Sequence, residues 1–79
     1  MTKTEKKTIL DRIESASYHY EMGLNARARQ NGGNERRIEY CETRLKTLTL
    51  LALAVNLPDD DVNGAISAGK KQAEFFAVS

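Results

Sequence analysis

The 79-residue chain holds no tryptophan, two phenylalanines, and a single residue each of histidine, cysteine and proline. Each scarcity excludes something. With Cys41 as its one cysteine, the chain cannot form an internal disulfide. With His19 as its one imidazole, it cannot assemble the Cys/His sets that hold structural zinc. Neither sign of charge prevails: 12 Lys and Arg against 11 Asp and Glu give a net charge of +1, which argues against a general electrostatic nucleic-acid binder. The most apolar run, Leu48 to Leu57, is too short to span a bilayer. The charged opening Met1 to Lys7 is followed by no apolar segment of the kind a signal peptide needs. The expected setting is therefore cytoplasmic, with no membrane partner.

What is present is helical periodicity. Hydrophobic residues make up 41% of the chain, too many for a disordered composition. Two breaks punctuate it, Asn31-Gly32-Gly33-Asn34 and Asn56-Leu57-Pro58-Asp59. The expected fold class is all-α: an antiparallel helical hairpin (helices about 5–30 and 34–56) plus a third helix (about 59–76), in one domain. In the first helix, Ile9, Ile13, Ala16, Tyr20 and Leu24 share one face, flanked by Leu10, Ser17 and Ala28. Gly23 weakens its middle and invites close approach of another element. In the third helix, Asp59-Asp60-Asp61 favours the N-terminal dipole, and Val62, Ala65, Ile66, Gly69, Ala73 and Phe76 form the stripe.

The second helix is the most informative. Asn34 is its expected N-cap, and Ile38, Cys41, Leu45, Leu48, Ala52 and Val55 alternate at three and four residues, a regular packing seam. Leu50, Leu53, Ala54 and Leu57 project to the opposite side. A single hairpin covers only one of these faces, and each leucine left wet forgoes about 1.5–3 kcal/mol of burial. The third helix is the natural cover. Its residues are small, so part of the leucine face is expected to remain for another subunit. The candidate self-association residues are Leu50, Leu53, Ala54, Leu57, Phe75 and Phe76.

Chemistry is scarce. His19 projects from the edge of the first helix, away from its inner stripe. Cys41, between Ile38 and Leu45, reads as a buried small hydrophobe with an inert thiol. Consecutive aspartates point in different directions, and no EF-hand spacing follows them, so they read as a helix start rather than a metal site. Gly32-Gly33 lacks the Lys-Ser/Thr of a phosphate loop. No catalytic, metal or cofactor residue is assigned, and an enzyme is the least expected class.

Two surfaces remain as candidates for a partner or ligand. Arg29, Arg36, Arg37 and Arg44 cluster toward the hairpin tip, with Tyr40 between Arg37 and Arg44. Arginines beside an aromatic ring bind phosphates, stack on bases or pair with carboxylates. Glu35, Glu39 and Glu42 are placed to neutralise them. Tyr18 and Met22 form the second surface, opposite the inner stripe of the first helix.

The helix–turn–helix hairpin resembles, in architecture alone, two kinds of small protein. These are the plasmid RNA-binding four-helix bundles made from two hairpins and the hairpin co-chaperones of secretion-needle subunits. The resemblance matches no motif and carries no residue roles over. The expected function is a protein-binding module: an adaptor, co-chaperone, regulator or stoichiometric inhibitor, homodimeric, of a kind suited to a phage or mobile element. The alternative is a nucleic-acid or nucleotide binder using the Arg37–Tyr40–Arg44 stripe.

Overall fold

The computed structural model describes residues 2–30 and 35–78, with side chains for 2–25 and 35–75. The Gly-Gly turn, the proposed Asn34 cap and the side chains of Ala28, Arg29 and Phe76 lie outside the described residues. Three helices account for nearly all the rest: α1 (Lys3–Gln30), α2 (Glu35–Ala54) and α3 (Asp59–Val78). No strand occurs among the described residues, and the chain is an all-α three-helix bundle. At about 1.5 Å per residue, the 28-residue α1 accounts for the longest dimension, 43 Å.

Local chemistry sets the helix ends. Thr2 caps α1: its Oγ1 accepts the Glu5 N–H at 3.1 Å and donates to Glu5 Oε1 at 3.1 Å. This is a Thr-x-x-Glu pairing of the capping-box type, and it starts α1 earlier than apolar periodicity alone suggests. At the end of α2, Asn56 takes a φ of 62°, in the left-handed region that asparagine tolerates better than most residues. The Asn56 N–H then bonds the Leu53 carbonyl and the Leu57 N–H bonds the Ala52 carbonyl, at 3.1 and 2.9 Å. That is a Schellman closure, and Leu57 and Ala52 both join the hydrophobic core, as the motif favours. The Pro58 carbonyl accepts the first bonds of α3, from the N–H groups of Asp61 and Val62.

Ile9 and Ile13 of α1, Ala52 of α2, Leu57 of the connection and Val62 of α3 form the buried cluster. Leu10, Leu45, Leu48, Val55, Ala65 and Ile66 pack around it, half-buried. The inner stripes read from the sequence are therefore the faces that turn inward.

Which helices meet is different from expectation. α3 does not cover the outer face of α2; it packs along α1, and α2 and α3 have little mutual contact. The reason lies in side-chain size. Gly69 lies so close to α1 that a β-carbon there would overlap the Glu14 carbonyl oxygen and sit 2.9 Å from both Ser17 Cβ and the Tyr18 backbone nitrogen. Ser17, itself buried, donates from Oγ to the Ile66 carbonyl at 2.8 Å. Small residues on both sides let the two backbones approach, and the hydroxyl satisfies itself on the neighbouring helix. The large leucines on the outer side of α2 offer no such groove. α2 meets α1 on another side, where Ile38 Cγ1 comes within 3.1 Å of the β-carbon position of Gly23.

Candidate functional site

With α3 against α1, the outer face of α2 stays open. Leu50 and Leu53 are 66% and 64% exposed, and Leu51 beside them is 44% exposed. Ala54 is exposed as well. These residues form the terminal turns of a helix whose opposite side holds the buried Ala52. The cause is the amphipathic arrangement itself: a three-four seam uses one side of α2, and the run Leu50-Leu51-Ala52-Leu53-Ala54 places apolar side chains all around.

The remaining candidates for self-association divide. Leu57 is not on the open face; it is 5% exposed and belongs to the core. Helical projection placed it beside Leu53, but the left-handed Asn56 ends the helix first and turns Leu57 inward. Phe75 is exposed, yet it lies 16 residues along α3 from Asp59, about 24 Å at the helical rise. The start of α3 is the end that adjoins α2, so Phe75 does not extend the leucine patch.

Farther toward the start of α2, Arg36, Arg37, Tyr40, Thr43, Arg44 and Thr47 are all exposed. Glu35 and Glu39 are exposed among them, and Glu42 pairs with Lys46 at 3.1 Å, one helical turn apart. Among the described residues, carboxylates interleave with the guanidinium groups along this half of α2. Tyr40 is 67% exposed. Together with Thr43, Thr47, Leu50 and Ala54 it completes an outer stripe with steps of three, four, three and four. None of these five residues carries a charge. Sequence reading noted the leucines and placed Tyr40 in the arginine stripe, but missed Leu51 and the continuity of the leucines with Tyr40 through Thr47 and Thr43. The signal was present as a second heptad repeat, concealed by threonines that do not score as apolar.

Tyr18 and Met22 are half-buried rather than exposed. The correction follows from the position of α3, which brings Gly69 against the backbone at Tyr18. The Tyr18 ring meets the exposed His19 ring edge-on, with centroids 5.3 Å apart. Cys41 is a free thiol and half-buried, not enclosed as its seam position implies. It lies in the half of α2 away from the core cluster, where Ile38 is the buried residue.

Among the described residues, no group of three or more His, Cys, Asp or Glu side chains is arranged to hold a metal ion. No helix there is long and apolar enough to cross a membrane. No protein-family model, curated protein or solved structure matches this chain.

Proposed function

We propose that this chain is a small non-enzymatic protein-binding module that works through the outer face of α2, as an adaptor, co-chaperone, regulator or stoichiometric inhibitor. One observation carries the reading. A helix whose inward seam holds the buried Ile38 and Ala52 leaves three exposed leucines, Leu50, Leu51 and Leu53, away from that seam. Scattered exposed apolar residues are ordinary, but a contiguous patch on one element, rimmed by charge, marks an interaction surface. Leucines at the patch centre with Lys46, Arg44 and Glu39 at its edges follow the apolar-core, polar-rim anatomy of protein interfaces.

The reading is tested with a photo-crosslinking amino acid placed at Leu53 and, as a control, at the exposed Lys71 of α3. Discrete protein adducts, self or foreign, are expected from position 53 alone and should disappear when Leu50→Glu is added. Leu50 lies outside the core, so this change should leave the helical content intact by circular dichroism. Adducts from position 53 that match those from position 71 would refute the reading.

A further inference from the structure

Resting on that protein-binding reading, we infer that the occupant of the outer face of α2 is α2 of a second copy of this chain, lying parallel and in register. The inference comes from the heptad geometry of the stripe and from the charges that flank it.

Tyr40, Thr43, Thr47, Leu50 and Ala54 occupy alternating a and d positions on the exposed side of α2. Ile38, Leu45 and Ala52, which turn toward the rest of the chain, then fall at f, the position farthest from a coiled-coil seam. The two seams of α2 are therefore opposed, and a second helix can dock on the outer one without disturbing the fold. Glu39, Lys46 and Leu53 fall at g, and Arg44 and Leu51 fall at e.

These flanks select the orientation. In a parallel pair, each g residue faces the e residue five positions on in the other helix. Glu39 then meets Arg44 of the second copy, and the two-fold symmetry repeats the attraction on the other side. Lys46 meets Leu51 of the second copy, where its aliphatic stem covers apolar surface. The antiparallel arrangement that overlaps the stripe fully sets Tyr40 opposite Leu50. It also sets Lys46 opposite Lys46 and Arg44 opposite Arg44, two like-charge contacts. Sliding it by one heptad in one direction takes Tyr40 beyond the end of the partner helix. Sliding it in the other direction leaves the leucines uncovered. The parallel register alone uses the whole stripe and brings Glu39 to Arg44. Its one like-charge contact, Arg36 against Arg36 at the preceding d position, falls at the start of α2, whereas the antiparallel pair places two at the middle of the seam.

Thr43 and Thr47 sit at the middle of this seam and bury little apolar area. Association should accordingly be reversible and concentration-dependent, consistent with leucines that the isolated chain carries exposed.

Sedimentation equilibrium of the intact chain, Arg44→Glu and the swap Glu39→Arg/Arg44→Glu tests the pairing. The unaltered chain should pass from monomer to dimer as concentration rises. Arg44→Glu should weaken the dimer about tenfold, since it turns two attractions into two repulsions, and the swap should recover most of the loss. Orientation is read in a Cys41→Ser background, under glutathione redox buffer. Leu50→Cys should form its symmetric disulfide about a hundredfold more readily than the exposed control Lys71→Cys. A Tyr40→Cys and Leu50→Cys mixture should give little mixed disulfide.

Preferential mixed disulfide, or equal effects of the single change and the swap, would overturn the parallel register. A chain that stays monomeric at every concentration would overturn self-pairing. If such a monomer still gives foreign photo-adducts from position 53, the protein-binding reading survives; if it gives none, both fail.

Discussion

At the scale of single residues, the glycines of α3 separate two effects that are usually mixed. Gly64 has no atom within 4 Å of its β-carbon position, whereas Gly69 is pressed against the backbone of α1. Gly64→Ala should raise stability by about 0.5–1 kcal/mol through helix propensity alone. Gly69→Ala should lose about 1–3 kcal/mol, because the methyl group forces two helices apart. Chemical denaturation of the two variants checks both signs, and a stabilised Gly69→Ala would contradict the close crossing. Asn56 offers a second contrast. Its positive φ predicts that Asn56→Gly stays within a few tenths of a kcal/mol of the parent, while Asn56→Ala loses about 1–2 kcal/mol. Matched thermal melts decide it; equal losses would mean that the asparagine side chain, not its backbone, matters there.

At the scale of elements, the sequence was clear about which face of each helix is apolar and silent about which helix that face meets. Ile9, Ile13, Ala52 and Val62 were all readable from spacings of three and four, and all are buried. The Asn56–Pro58 break was readable from its residue types. The pairing of α3 with α1 was not, because it depends on the approach of Gly69 and Ser17, far apart in the sequence, and periodicity carries no such information. Leu57 was misplaced for a related reason: a helical projection holds only while the helix lasts. The leucine site was legible because large side chains on both sides of one helix cannot all face the same neighbour. α2 is consequently the least secured element, held along one seam while α1 and α3 share a close crossing and the Ser17–Ile66 bond. Hydrogen exchange on dilute protein should show the amides of the first half of α2 exchanging before those of α3 between Val62 and Ala73. The reverse order would mean that α2 is anchored more firmly than its contacts indicate.

At the scale of the whole molecule, the strongest packing joins the two helices that are not neighbours in the chain. The Ser17–Ile66 hydrogen bond spans 49 residues, and the whole of α2 lies between its ends. Closing so long a loop carries an entropic cost before the contacts that reward it exist, which slows folding relative to a bundle built from consecutive pairs. During synthesis, α1 has no access to its principal partner until α3 has emerged. Throughout that interval α1 has only α2 to pair with, so the side of α1 that α3 will occupy is bare together with the outer leucines of α2. The nascent chain is thus at its stickiest before its last helix arrives, and a second copy being made nearby would meet the same surface in the same state.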